Sequence, residues 1–217
     1  MRESICTIPL NDVFAPKCGC PVCRLEELLE SRCTEYIMGA AMMEPDIRIQ
    51  TNHYGFCQKH FSQLSSQKNR LSLALMLETH LDELMEQHMP HKFKKGEPSP
   101  DETCFVCKEI AAALDKMLGT AVKLFTTDED FRQLLLGQDY FCYRHYIQLC
   151  RKAESSLNRK QAAGFIGPLT QKVKADAAAL REDVHDFTMT FDYRSAGNAN
   201  TEERLKTAVE RAIRFLE

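Results

Sequence analysis

The sequence predicts an all-α protein of two tandem, structurally similar helical lobes. Leu, Ala, Met, Glu and Lys recur at spacings of three and four, while only nine of 217 residues are Gly, which is helical periodicity with few breakers. Four residues occur twice in the same pattern: Cys20, Cys23, Cys57 and His60, then Cys104, Cys107, Cys142 and His145. The offset is 84 residues for C-x-x-C and 85 for C-x-x-H, so the chain carries an internal duplication. Between the copies, His91 to Thr103 reads HKFKKGEPSPDET. Gly96, Pro98 and Pro100 break helices there, and the charges favour solvent. The expected lobes are therefore residues 1–95 and 96–217.

The first expected helix follows Cys23, with Leu25, Leu28, Leu29, Tyr36, Ile37 and Ala40 as its buried stripe. Pro45 disfavours helical geometry at Glu44, so this helix should stop near Met43. Ile47 and Ile49 alternate with Asp46, Arg48 and Gln50, which predicts a strand-like or irregular connector. A long helix should run from about Cys57 to Met89, ended by Pro90. Its middle, LSLALML from Leu71 to Leu77, is apolar nearly all round and is expected at the centre of the fold. In the second copy, Ile110, Ala113, Leu114, Met117, Leu118 and Ala121 repeat the amphipathic helix. A short helix spans Asp128 to Leu136, between a Thr127 cap and Gly137. The helix after Cys142 should break near Gly164, Gly167 and Pro168. The next carries Leu169, Val173, Ala177, Leu180, Val184, Phe187 and Phe191 at near-heptad spacing. A polar turn from Asp192 to Ala199 leads to an Asn200/Glu203 capping box. The last helix aligns Leu205, Ala208, Val209, Ala212, Ile213 and Leu216, expected to dock on the chain's own core.

Composition excludes several classes. With 44% hydrophobic and 27% charged residues the chain is neither disordered nor membrane-spanning in character, and no stretch approaches the ~20 apolar residues a spanning helix requires. Six of ten cysteines fall in metal-type spacings, and MRESICTIPLND carries no signal-peptide pattern, which together predict reduced thiols in the cytoplasm. A net charge of −3 gives no general attraction to nucleic acid. The local balance differs: Arg144, Arg151, Lys152, Arg159, Lys160, Lys172 and Lys174 face one acid, Glu154, within residues 144–174.

The chemistry of the repeated set points to metal. Two residues between thiols close a loop that aims both sulfurs at one ion, and C-x-x-H does the same with one thiolate and one imidazole. Cys20, Cys23, Cys57 and His60 would complete one tetrahedron and Cys104, Cys107, Cys142 and His145 another. Each ion would clamp one lobe. Buried thiols or a redox disulfide would explain a single C-x-x-C, but not the full set twice. Four protein ligands leave no open position, so two structural zinc ions are preferred to catalytic zinc. A two-iron, two-sulfur cluster on the same residues is the alternative. Cys18 is a bystander or substitute ligand, and Cys6, Cys33 and Cys150 read as small buried apolar residues.

Other candidates are weaker. Glu182-x-x-His185 has the spacing of di-iron ligands but no second copy, and reads as a solvated helix face. His80 and His88, with His91 following, read as satisfied or exposed histidines. Met38, Met42, Met43, Met76, Met85 and Met89 at helical spacing read as core. Glu44, Asp46, Arg48 and Asn52, in the segment entering Cys57, are the preferred place for a ligand site, against a default of a salt-bridged loop. No Gly-rich phosphate loop or nucleophile elbow is present.

The runs IPLNDVF, CPVCRLEE, MMEPDIRIQTN, GFCQKHF, NRLSLALMLETHLDE, CFVC, FCYRH and FDYRS together resemble an uncharacterised bacterial family of twin C-x-x-C and C-x-x-H proteins, from Ile8 to Leu216. The resemblance implies no activity, substrate or partner. One departure is Tyr140 before Phe141-Cys142, where Gly55 precedes Phe56-Cys57; turn geometry should change more than ligation. The expected role is a zinc-clamped binding or adaptor module for a protein partner, more a scaffold than an enzyme. A redox protein or a nucleic-acid-binding regulator acting through residues 144–174 are the alternatives.

Overall fold

The computed structural model describes residues 7–89, 103–191 and 203–217. In order, its elements are α1 (Thr7–Phe14), α2 (Pro21–Met38), a 3-10 turn (Ala40–Met43), α3 (Pro45–Tyr54), α4 (Gln58–Ser65) and α5 (Arg70–Glu83), which runs on as a π-helical turn (Leu84–His88). Then come α6 (Phe105–Thr127), α7 (Glu129–Leu136), α8 (Tyr143–Ser156), α9 (Arg159–Met189), α10 (Glu203–Lys206) and α11 (Ala208–Leu216). The class is all-α, as expected, with no strand among the described residues. The order α2-α3-α4-α5 recurs as α6-α7-α8-α9, which is the sequence duplication expressed as structure.

Several local expectations are corrected. The helical chain begins before the first C-x-x-C, because Leu10, Val13 and Phe14 share a face of α1 and are buried. Residues 45–54 form a helix rather than a strand-like connector. Pro45 sits at its first turn, where a missing N–H costs nothing, and Asp46 favours the positive end of the dipole. The Ile47/Ile49 alternation misled, since Ile47 packs on the core while Ile49 is exposed.

The long helix expected over 57–89 is broken between Ser65 and Arg70. There Asn69 leaves helical geometry, accepts from the Ser72 N–H at 3.4 Å, and donates its amide to the Met38 carbonyl at 2.7 Å. One side chain thus caps α5 and closes the end of α2. Leu71, expected at the centre, is 65% exposed; the buried face of that run is Ser72, Leu73 and Met76.

Conversely, α9 runs unbroken through Gly164, Gly167 and Pro168. All three are exposed, so the carbonyl that Pro168 cannot serve is open to water. The break falls earlier, at Leu157 and Asn158, where Asn158 accepts from the Gln161 N–H at 3.0 Å. The cap of α7 is Asp128 rather than Thr127, accepting from Phe131 at 3.1 Å. The basic linker, the 95/96 boundary, Cys6, His91 and the turn from Asp192 with its Asn200 cap lie outside the described residues, as does the side chain of His88.

The described chain divides into two compact units, one of residues 1–25 and 115–217 and the other of 26–114. These differ from the expected 1–95 and 96–217, since each unit takes segments from both sequence repeats. The first unit buries Leu10, Phe14, Phe141, Leu149, Phe165 and Leu169 completely, each contributing about 1.5–3 kcal/mol. Phe14 packs on Phe131 at 5.4 Å and Phe125 meets Phe165 edge-on at 4.7 Å. The second unit centres on Ile37, Met38, Phe56, Leu64, Leu73, Met76 and Phe105, with α3 lying against α5.

At the C-terminus, α10 and α11 dock on α9. The docked face is not the full apolar stripe: Ala208 is buried, but Val209, Ile213 and Leu216 are exposed. An ion-pair cluster supplements it. Asp183 of α9 accepts from Arg211 at 2.6 Å and from Arg204, while Arg211 also donates to the Arg204 carbonyl at 2.7 Å. Glu182 and His185 are exposed, so Asp183 between them is the engaged residue of that motif.

Arg211, then Arg204, hold the Asp183 carboxyl below its usual value. A depressed carboxyl stabilises the docked state above its unfolded pKa of about 3.9 and ceases to do so as pH falls through the folded value. Amide protection across 203–217, taken relative to the intrinsic exchange rate at each pH, should therefore fall below about pH 4, and an Asp183→Asn chain should have lost it already at neutral pH. Unchanged protection in that variant would exclude Asp183 as the group that holds the C-terminal helices on α9.

Candidate metal centres

The eight repeated Cys and His residues assemble into two groups of four, each able to hold a metal ion. Membership is crossed relative to the tandem expectation. Cys20 and Cys23 join Cys142 and His145, and Cys57 and His60 join Cys104 and Cys107. Each centre therefore takes its C-x-x-C from one repeat and its C-x-x-H from the other. The first belongs wholly to the 1–25/115–217 unit and the second to the 26–114 unit.

Helix N-termini build both centres in the same way. Cys20 and Cys104 precede α2 and α6, and Cys57 and Cys142 are the N-cap residues of α4 and α8 in extended conformation. The carbonyl of each accepts the first helical bond: Arg24 to Cys20 at 3.3 Å, Lys108 to Cys104 at 3.1 Å, Phe61 to Cys57 at 2.9 Å and Tyr146 to Cys142 at 2.9 Å. The second residue of each pair then lies in the first turn, where the positive end of the helix dipole favours a thiolate at Cys23 and Cys107 and the neutral, metal-binding imidazole at His60 and His145.

In the first centre, His145 Nδ1 lies 3.1 Å from Cys142 Sγ, 3.3 Å from Cys23 Sγ and 3.6 Å from Cys20 Sγ, with Cys23 and Cys142 sulfurs 3.8 Å apart. In the second, His60 Nδ1 lies 3.2 Å from both Cys57 and Cys104 Sγ and 3.5 Å from Cys107 Sγ, and Cys57 and Cys107 sulfurs are 3.9 Å apart. A tetrahedral ion with ~2.3 Å bonds to sulfur and ~2.0 Å to nitrogen has edges of about 3.7 Å between sulfurs and about 3.5 Å between sulfur and nitrogen. The sulfur–sulfur spacings of 3.8 and 3.9 Å lie close to that edge, and the sulfur–nitrogen spacings of 3.1–3.6 Å lie at or somewhat inside theirs.

The crowded thiols drive one another apart in acidity. Bonds from Cys142 and Cys23 hold the Cys20 thiol far below its usual range, and Cys142 and Cys20 send Cys23 far above it. In the second centre burial, then Cys104, pushes Cys107 up to about 12. Burial also opposes ionisation of Cys57, but bonding led by the His60 backbone N–H lowers it overall. Such opposed shifts arise where crowded thiols share protons through hydrogen bonds, one holding its charge while its neighbour keeps the proton, and a divalent ion would favour the thiolate in all of them.

Several supporting residues carried no signal of their own in the motif. Glu30, on α2, accepts from His60 Nε2 at 2.8 Å and pairs with Lys59 at 2.5 Å. This fixes Nδ1 as the ring nitrogen facing the sulfurs and orients the ring. The corresponding position in the other repeat is Leu114, which is buried. Arg24 gathers the approach to the first centre, donating to the carbonyls of Val13 at 2.8 Å, Pro16 at 2.7 Å and Gly19 at 3.2 Å, to the Cys18 carbonyl, and to Gln138 Oε1 at 3.1 Å. Cys18 stands outside both donor groups and is exposed.

The Gly55/Tyr140 departure has a structural counterpart. Gly55 has φ +58°, a Cβ there would meet the His80 ring at 2.8 Å, and its carbonyl accepts from the Phe105 N–H at 3.0 Å. At the first centre the residue matching Phe105 is Pro21, which has no N–H, and Tyr140 has no positive φ. The link is made instead by the Gly19 N–H, φ +66°, to Asp139 Oδ2 at 3.1 Å. Donor groups form at both centres, so the change is one of turn geometry.

The remaining candidates are placed as follows. Arg48 donates to the Leu75 carbonyl at 3.0 Å and to Thr79 at 3.2 Å, and Thr79 donates to Asn52 at 2.8 Å, so both residues tie α3 to α5. Tyr36 bonds to Glu44, and Asp46 is exposed in the first turn of α3. An open cavity of about 360 Å³ beside Arg48 is lined by Met42, Met43 and Pro45. Among the methionines, Met38 and Met76 are core, whereas Met43, Met85 and Met89 are exposed. His80 Nδ1 bonds to the Asn52 carbonyl at 2.6 Å. Cys33 and Cys150 are half-buried. Of the basic run, Lys152 pairs with Asp115 at 2.6 Å and Lys172 with Asp176 at 3.2 Å. No helix among the described residues is long and apolar enough to cross a membrane.

Compared with known proteins, the chain matches the model of a family described as a family of unknown function (DUF6062), twice, over residues 1–100 and 92–217. The two matches meet where the sequence repeats do. No curated protein and no solved structure matches.

Two outcomes follow from the crossed geometry. Cys20→Ser and Cys142→Ser should each remove the same one of two bound ions, and Cys57→Ser the other; metal counts in the single and double variants decide it, and Cys20 and Cys57 sharing an ion would refute the pairing. Glu30→Ala should weaken the second centre about 10–100-fold in chelator competition and leave the first unchanged.

Proposed function

Because the chain belongs to that family, whose function is unknown, we propose from its own chemistry that it is a helical binding or adaptor module whose two zinc ions are structural. The observation that carries this reading is the closure of both donor sets. Each offers three sulfurs and one nitrogen within 4.8 Å of one another, leaving no coordination position for water or substrate. The donors also come from segments far apart in sequence, 119 residues between Cys23 and Cys142 and 50 between Cys57 and Cys107. Binding energy at such sites is folding energy, of order 10 kcal/mol per zinc.

The spacing also favours single ions over two-iron clusters. In a cluster the ligands divide between two metals held apart by bridging sulfides, whereas here all four donors of each centre lie within 4.8 Å of one another. Reduced, unpaired cysteines accord with a cytoplasmic setting. For a partner, the 26–114 unit exposes Met43, Ile49, Leu71, Leu81 and Met85, apolar surface of the kind that protein contacts cover. Nucleic-acid binding through residues 144–174 is the weaker reading, since Lys152 and Lys172 are paired with carboxylates of the same unit.

Anaerobically purified protein should be colourless and carry two zinc ions per chain, one for each centre. Chelation should collapse its helical circular dichroism, and zinc, not iron, should restore it. Less than one zinc per chain, or an unchanged helical signal after its removal, would overturn the structural-zinc reading.

A further inference from the structure

The two centres have the same ligands but not the same access. In the first, Cys20 is 3% exposed and Cys142 and His145 are wholly buried, leaving Cys23 half-buried as its most open member. In the second, Cys104 and His60 are buried, but Cys107 is exposed and Cys57 half-buried. The two open residues of the second centre are also the pair whose sulfurs face each other at 3.9 Å. The comparable pair of the first centre, Cys23 and Cys142 at 3.8 Å, includes a sulfur that solvent does not reach. Access, not spacing, separates them.

We propose that Cys57 and Cys107 form an oxidant-sensitive pair, so that a peroxide discharges the second centre and spares the first. This rests on the zinc reading above. The Cys107 thiolate attacks one oxygen of hydrogen peroxide, breaking the O–O bond to give a sulfenic acid and hydroxide. The Cys57 thiolate then attacks that sulfur, forming the disulfide and expelling a second hydroxide. Two protons from solvent convert the hydroxides to water; the two sulfurs lose two electrons and the peroxide gains them. The sulfurs need close by roughly 2 Å to reach a disulfide bond length of about 2.05 Å. Only Cys104 and His60 then remain as donors, too few to retain zinc.

The test uses the full, zinc-loaded chain, with bound zinc counted before any oxidant is added. Limiting hydrogen peroxide follows, with released zinc read by a colorimetric chelator and disulfides located by peptide mass spectrometry. One zinc should leave well before the other, together with a Cys57–Cys107 link, and dithiothreitol with added zinc should restore the starting state. A Cys107→Ser chain should start with one zinc, and that zinc should resist the peroxide dose that discharges the second centre of the unaltered chain; its loss at the same dose would count against the proposal. Simultaneous loss of both ions, no release, or a first disulfide containing Cys104, Cys20, Cys23 or Cys142 would overturn the proposal. A chain holding no zinc at the outset would instead fail the metal reading itself, so the two failures are distinct.

Discussion

A C-x-x-C or C-x-x-H pair at a helix N-terminus supplies two donors, and a closed tetrahedron needs four. Each pair must therefore meet another brought from elsewhere in the chain. The fold brings the two from opposite repeats. His60 settles against α2 at Glu30, and the C-x-x-C it meets is the one opening α6, while Cys20 and Cys23 meet Cys142 and His145.

Crossing the repeats changes what the metal does for stability. A tandem pairing would have closed two short excursions, each inside one repeat. The crossed pairing fastens the beginning of the chain to residues beyond position 140, and residues near 60 to those beyond 100. Long closures restrict the unfolded chain more than short ones, though only logarithmically. The units are also small for their cores. Ile37, Phe56, Leu64 and Phe105 provide one cluster in the 26–114 unit, which a closed metal site supplements.

The centres then diverge through their surroundings. Glu30 orients His60, while the matching position of the other repeat carries a leucine. Phe105 bonds to Gly55, whereas Pro21 cannot bond to Tyr140, and Gly19 with Asp139 takes over that role. Duplication kept the donor atoms, and the supporting contacts around them changed.

Much of this was written locally. The helical class followed from periodicity, and the ligand identities from spacing, because two residues between donors is a constraint that involves no distant partner. Local signals failed where a distant group intervened. Asn69 breaks the expected long helix because it reaches the Met38 carbonyl. At Pro168 the signal failed for another reason, since α9 continues with that face open to water. The sequence by itself determined that there would be two complete sets of three cysteines and one histidine at helix starts. Only the tertiary structure decided which cysteines share a centre, because packing within each unit fixes where its helix N-termini lie and spacing along the chain does not.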